Sequence, residues 1–95
     1  MPAVALAKEG ARLLFHVYIL KSVSHPDQIY IGFSSVSMDL RLARHNSGTT
    51  PATARYRPWK IAWHATFPEK QIALDFERYL KSGSGRAFLK KRLIN

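Results

Sequence analysis

Cysteine is absent from the 95-residue sequence. Its absence excludes disulfide bonds, thiolate metal sites and a cysteine nucleophile. It also suits a reducing compartment, so a cytoplasmic location is expected. Long apolar runs are absent too, since no stretch reaches the roughly 18 apolar residues of a membrane-spanning helix. The first residues carry no basic cluster before their short apolar run. Neither a signal peptide nor a membrane partner is therefore expected.

Acidic residues are scarce. Six Asp and Glu stand against 15 Lys and Arg, which gives a formal net charge of +9 and a pI of about 10.4. No acid lies between Asp39 and Glu69, and none follows Glu77. Such a field attracts polyanions, nucleic acid before acidic membrane surfaces. DNA is the expected partner and RNA is not excluded. The alternative from charge alone is a soluble basic protein whose cations are merely solvated.

The length of the chain suits one domain with a modest core, and a hydrophobic content of 46% is too high for a disordered tail. We assign this domain to residues 14–93, after an N-terminal arm at residues 1–13. Alternating apolar residues predict strands at 14–20, 28–33 and 59–67, the first two forming a hairpin. In the third strand, alternation places five residues on one face: Trp59, Ile61, Trp63, Ala65 and Phe67.

Helical periodicity predicts three helices, at residues 38–46, 68–81 and 86–93. Ser37 is the expected N-cap of the first helix and Gly48 its stop. The apolar stripe of the second helix is Ile72, Ala73, Phe76, Tyr79 and Leu80. Residues 49–58 are expected to form an extended basic loop, and residues 82–85 to break the helices. This element order suggests a small α+β domain with helices packed on one sheet.

Five residues stand out once hydrophobic periodicity is subtracted: Tyr18, Tyr30, Arg41, His45 and Glu77. Tyr30 lies toward the end of the second strand, and Arg41 and His45 lie one turn apart on the next helix, so these three could converge on one anionic group. The alternative is that the tyrosines only pack across the strands, while Arg41 and His45 are solvated. No histidine pair has the spacing of a zinc motif.

Glu77 lies beside the apolar stripe of its helix, between Phe76 and Leu80. A partly covered carboxylate there could bind one Mg²⁺ or Mn²⁺ ion, because such ions take one or two carboxylates together with water and substrate phosphate. The alternative is a surface ion pair with Lys81, four residues later. Spacing alone leaves both interpretations open.

Several short segments resemble the GIY-YIG nuclease family. Tyr-Ile-Gly at residues 30–32 is the second half of the motif that names this family, and His-Val-Tyr at residues 16–18 resembles the first half. Segments at residues 40–48, 56–60 and 73–83 resemble the arginine helix and the later blocks of its small single-domain members. The resemblance covers residues 14–93, with five segments in the right order and spacing.

The resemblance implies a three-stranded antiparallel sheet flanked by helices, and metal-dependent hydrolysis of a phosphodiester. Glu77 would hold the single divalent ion against the phosphate. Tyr30 would act as the general base or position it, with Tyr18 in support. Arg41 would stabilise the charge that develops on the phosphate, and His45 would assist near the nucleophile. A tyrosine with a reference pKa of about 10 can act as a base only if nearby cations lower that pKa.

Three positions depart from the family pattern. His16 replaces the first glycine, which is tolerated if its side chain faces outward. Phe33 follows the second glycine, where some relatives carry a basic residue. Many members have an asparagine after the metal-binding glutamate, whereas here the only later asparagine is the terminal Asn95.

The sequence therefore predicts a metal-dependent DNA endonuclease, with structure-specific cleavage and a role in DNA repair or recombination as further expectations. Its partner would be DNA, with a homodimer or a protein partner available for targeting. The expected nucleic-acid contacts are the cations Arg44, Arg55, Arg57, Lys60, Lys81 and Arg86. The alternatives are a non-catalytic nucleic-acid-binding module on the same scaffold and a basic adaptor for acidic proteins.

Overall fold

The computed structural model describes residues 13–94. Its three strands are β1 (Phe15–Ser22), β2 (Ile29–Ser34) and β3 (Trp59–Phe67). Its helices are α1 (Met38–Asn46), α2 (Pro51–Ala54), α3 (Lys70–Lys81) and α4 (Gly83–Phe88), followed by a π-helical turn at Leu89–Leu93. The predicted arm at residues 1–13 lies outside the described residues, apart from its last residue.

The three strands form one antiparallel sheet in the order β2-β1-β3, so β1 is central. Because successive side chains of a strand point to opposite faces, β1 serves two clusters. Val17 and Ile19 join one core cluster, whereas Tyr18 and Leu20 join the other. The predicted α+β fold, with a three-stranded antiparallel sheet and flanking helices, is confirmed.

A β-bulge in β3 overturns the predicted single apolar face of that strand. Ile19 pairs with Trp63 but Leu20 pairs with Ile61, which leaves Ala62 as an extra residue. An extra residue reverses the alternation beyond it. Ile61 therefore packs with Tyr18 and Leu20, whereas Trp63 packs against the cluster of Val17 and Ile19.

Helix α3 packs on the face of the sheet that carries Val17 and Ile19. Its residues Ala73 and Leu80 are fully buried there. The predicted apolar stripe is too wide, because Ile72 is 50% exposed and Tyr79 40% exposed. The helix also begins at Lys70 rather than at Pro68. Within residues 13–94, no helix combines the length and apolar character needed to cross a bilayer.

The predicted break at residues 82–85 is confined to Ser82. The Ser82 hydroxyl accepts a hydrogen bond from the Gly85 backbone N–H at 3.1 Å. Ser82 is therefore the N-cap of a new helix that follows α3 directly. The last predicted helix therefore begins at Gly83, three residues early. It continues into the π-helical turn, where Leu89 is fully buried in the core.

The predicted extended loop at residues 49–58 contains the short helix α2, with Pro51 in its first turn. Trp59 holds this helix to β3, because its indole N–H donates to the Thr53 carbonyl at 2.7 Å. The Asn46 side chain, at the end of α1, bonds the backbone N–H and C=O of Trp59 at 2.6 and 3.0 Å. Helices α1 and α2 are thus fixed to the start of β3.

Candidate active site

Helix α1 carries two of the predicted site residues to the face of the sheet that holds Tyr18 and Leu20. The Ser37 hydroxyl caps the helix by accepting from the Leu40 N–H at 3.3 Å, and the helix stops before Gly48, whose φ of 84° suits glycine. These ends agree with prediction. Arg41 and His45 lie one turn apart, and both reach the same tyrosine on β1.

Tyr18 is the centre of this site. Its hydroxyl accepts a hydrogen bond from Arg41 Nε–H at 3.1 Å and lies 2.8 Å from His45 Nε2. Its ring crosses Gly32 of β2, where any Cβ atom would collide with the end of the Tyr18 side chain. The Tyr30 ring lies 5.0 Å from the His45 ring and 6.3 Å from the Tyr18 ring. Four of the five predicted site residues are therefore brought together.

The hydrogen bonds of His45 assign its tautomer. Its Nδ1 lies 2.8 Å from the Thr53 hydroxyl, which itself donates to the Thr50 carbonyl at 3.3 Å. Since that hydroxyl proton is committed to Thr50, the Thr53 oxygen accepts from Nδ1–H of His45. Nε2 is then free to accept the proton of the Tyr18 hydroxyl. The result is a directed chain from Arg41 through Tyr18 and His45 to Thr53.

Burial sets the protonation of this chain. His45 is 0% exposed, and burial, followed by the Arg41 charge, lowers its pKa. A neutral imidazole at pH 7 agrees with the assigned tautomer. The alternative that His45 is solvated on a polar helix face is therefore wrong. His45 is buried because the short helix α2 covers this side of α1, where Thr53 bonds the imidazole.

Tyr18 is also 0% exposed, and burial raises its pKa. The hydrogen bond and charge of Arg41 oppose this rise, whereas the nearby Tyr30 and Glu77 groups add to it. Burial outweighs the effect of Arg41, so the pKa of Tyr18 stays above its usual value.

Glu77 lies on α3 with its side chain 18% exposed, so it is partly covered as expected. Its carboxylate bonds Lys81 Nζ at 3.1 Å, so the predicted alternative contact is present as well. Its charge nevertheless contributes to the raised pKa of Tyr18, which places it within electrostatic reach of the tyrosine cluster. Within residues 13–94, no group of three His, Asp or Glu side chains could hold a metal ion. One carboxylate with water and a phosphate still suits Mg²⁺ or Mn²⁺.

The predicted nucleic-acid contacts do not form one patch. Arg44 on α1 and Arg55 and Arg57 after α2 are exposed on the elements that surround the tyrosine cluster. Lys60 of β3 is also exposed, but it pairs with Lys21 and therefore lies on the opposite face of the sheet. The Arg55 guanidinium lies 5.4 Å from the centre of the Tyr56 ring. Lys81 is engaged by Glu77. Arg86 lies on α4, which packs against α3, where Gly85 lies close to the backbone of Tyr79 and Leu80.

His16, at the position of the first family glycine, is partly exposed. Its Nδ1 lies 2.9 Å from the Thr66 hydroxyl of β3. Burial, followed by the charge of His64, lowers its pKa. A side chain at this position is therefore accommodated by a contact along the sheet surface.

Thr53 is the site residue that sequence analysis missed. It is fully buried and it bonds His45, yet hydrophobic periodicity gives no weight to a single threonine in a polar segment. The signal that could have found it is Pro51 after Thr50, which is typical of a helix start and would have predicted α2.

Comparison with known proteins agrees with this geometry. A family model described as the GIY-YIG catalytic domain matches residues 14–92. The structure-specific endonuclease subunit SLX1 of Debaryomyces hansenii is 38% identical over 74 residues, a match that covers 70% of this chain and 21% of that protein. The chain thus matches about a fifth of the length of this relative. It belongs to the GIY-YIG family of nuclease catalytic domains.

Proposed function

We propose that this protein is a metal-dependent endonuclease that hydrolyses phosphodiester bonds in DNA of particular structure, in repair or recombination. The observation that carries the proposal is the directed contact of Arg41, Tyr18 and His45, with the ring of the partly exposed Tyr30 against that of His45. Glu77 is linked to this cluster by its electrostatic effect on the pKa of Tyr18. Family membership supports phosphodiester cleavage. The name of the SLX1 relative, a structure-specific endonuclease subunit, supports the substrate class and the use of a protein partner.

Arg41 is the group available to a phosphate. Its Nε–H is used by Tyr18, and its terminal nitrogens make no hydrogen bond within residues 13–94. A guanidinium that is held at one end and free at the other can donate two N–H groups to a phosphate in fixed geometry. Arg41 would thereby offset the negative charge that builds on phosphorus.

Glu77 would hold the Mg²⁺ or Mn²⁺ ion. When bound, such an ion supplies positive charge to a phosphate oxygen and the leaving group. Lys81 competes for the same carboxylate, since its ammonium lies 3.1 Å from Glu77 Oε2. The ammonium must therefore move when an ion is held, and an exposed Lys side chain can turn toward nucleic acid instead.

Of the two tyrosines in the candidate site, Tyr30 is the one that water can reach. It is partly exposed, whereas Tyr18 is fully buried with its proton directed to His45. Tyr30 would therefore orient the attacking water or accept its proton. Tyr18 would hold Arg41 in place, and His45 would act through Tyr18.

The experiment is cleavage of labelled DNA and RNA structures with Mg²⁺ or Mn²⁺. We expect the parent protein to cut, and Glu77→Gln and Tyr30→Phe each to lose about 10²-fold or more in rate while they still bind DNA. Tyr79→Phe, at an exposed tyrosine on α3, is the matched control and should cut at the parent rate.

A non-catalytic binding module is the second candidate. The contact that favours it is the Glu77–Lys81 pair, which neutralises the one carboxylate that the ion would need. On that hypothesis nothing is cut, and the parent and both site variants bind DNA equally well, with an affinity that falls with salt. That result would overturn the endonuclease proposal.

A further inference from the structure

A cavity of about 300 Å³ opens at the turn end of the β1–β2 hairpin. Three cations line it, each from a different element: Lys21 from β1, Arg86 from α4 and Lys90 from the π-helical turn. Asp27, in the hairpin turn, is its one acidic residue. The cavity therefore has two positive charges in excess, three cations less one acid.

The cavity lies on the opposite face of the sheet from the tyrosine cluster. Lys21 pairs directly with Ile29 across the strands, and paired residues share a face. Ile29 packs against the core cluster of Val17 and Ile19, whereas Tyr18 belongs to the other face. The thickness of the sheet thus separates the cavity from Arg41 and Tyr30.

The three cations are available to an anion. Within residues 13–94, the ion pairs within 4.0 Å are Arg78–Asp75 and Lys81–Glu77, so the cations of the cavity have none. Ile29 and Ile94 form apolar parts of the lining. Apolar walls lower the local dielectric constant, which strengthens the attraction of the cations for an anionic group.

We propose that this cavity binds a backbone phosphate of a second arm of a branched nucleic acid whose first arm lies at the tyrosine cluster. This inference rests on the proposed function. A straight duplex bound at the tyrosine cluster runs in one direction, whereas the arms of a branched molecule diverge, so that a second arm can reach a cavity at the turn end of the hairpin. Arg and Lys side chains that line one cavity can contact the phosphates of such an arm without regard to base sequence. The cavity would therefore select DNA structure, and not sequence.

The test compares two double variants that remove the same charge from neighbouring positions. Arg86→Gln with Lys90→Gln removes two cations of the cavity. Lys91→Gln with Arg92→Gln, the matched control, removes two exposed cations from the same π-helical turn but outside the cavity lining. Fluorescence anisotropy without divalent ions measures binding to a branched DNA and to a linear duplex of equal length, at several salt concentrations.

We expect the parent and the control variant to bind the branched DNA more tightly than the linear duplex. The cavity variant should lose that preference. Its plot of log affinity against log salt for branched DNA should flatten by about 1 for each phosphate that the protein no longer binds. Its affinity for the linear duplex should match that of the control.

Equal losses in the two double variants, or an unchanged preference in the cavity variant, would overturn the proposal. Cleavage assays on the same proteins separate this failure from failure of the proposed function. If branched DNA is cut while the cavity variant behaves like its control, the proposed nuclease activity is supported and the proposed second contact is rejected. If nothing is cut but the cavity variant alone loses its preference for branched DNA, the second contact is supported and the nuclease activity is rejected.

Discussion

At the scale of single residues, the buried imidazole of His45 depends on Thr53. Thr53→Val removes the acceptor of Nδ1–H with little change in shape, and a buried N–H without a partner costs about 1–3 kcal/mol. The tautomer can then exchange, so Tyr18 and Arg41 lose their fixed direction. We expect cleavage to show a lower kcat with little change in KM.

Thr53→Ser retains the hydroxyl and should restore both the rate and the tautomer. Nitrogen-15 NMR of the His45 ring measures the tautomer directly, which a purely structural role for Thr53 would leave unchanged. A Thr53→Val protein with the parent tautomer and the parent rate would contradict the assigned chain.

Gly32 is a second residue with a defined requirement. Gly32→Ala places a methyl group against the Tyr18 hydroxyl, and forced repacking of this kind costs about 1–3 kcal/mol. We expect a lower melting temperature and a large loss of cleavage. Gly83→Ala is the control, because nothing lies within 4 Å of the added Cβ. In helix α4 this alanine should be neutral or stabilising, by up to about 1 kcal/mol. Equal behaviour of the two variants in thermal denaturation would contradict the packing described.

The histidines predict the pH dependence of stability. Burial lowers the pKa of His45 and of His16 in the folded protein, whereas the unfolded chain titrates near the reference pKa of about 6.5. As pH falls below that value, the unfolded state takes up protons first, so the free energy of unfolding decreases until the folded pKa values are passed. Urea unfolding at a series of pH values measures this slope. His45→Gln should flatten it, and an unchanged slope in that variant would contradict the burial of a neutral His45.

At the scale of the elements, helix α3 carries both the proposed metal ligand and its competitor. Lys81→Met frees the Glu77 carboxylate from a pair whose lysine is half exposed, and pairs of this kind contribute about 0.2–1 kcal/mol. We therefore expect half-maximal cleavage at a Mg²⁺ concentration lower by a factor of up to about 5. Lys70→Met, in the first turn of the same helix, is the control. A higher Mg²⁺ requirement for Lys81→Met would show that the lysine serves the substrate more than it hinders the ion.

The elements also show how much of the fold could be predicted from sequence. Helix α1 and strand β3 have the predicted ends, because a cap at Ser37 and alternation from Trp59 are local signals. The bulge at Ala62 is set by pairing with β1, a long-range constraint that alternation within one strand does not contain. The polar neighbours of Ser82 suggest a loop, yet its side chain caps a helix, which composition alone does not distinguish.

At the scale of the whole molecule, the candidate site draws on elements that are distant in sequence. The resemblance identified Tyr18, Tyr30, Arg41 and His45, and the fold brings their side chains together. Their relative depths could not be predicted, because burial depends on how α2 covers α1. The same limit applies to Arg86, whose place on the far face follows from the packing of the last helices.

The central position of β1 has a consequence for how the protein folds. Pairing with β2 closes a short loop, whereas pairing of His16 with Thr66 closes one of 50 residues, which costs more chain entropy and slows folding. Helix α2 is held by Trp59, the first residue of β3. We therefore expect the support of His45 to form only when β3 has paired with β1. On the proposed function, we expect cleavage to recover after dilution from urea only as β3 forms, and the fluorescence of Trp59 and Trp63 in that strand measures this step.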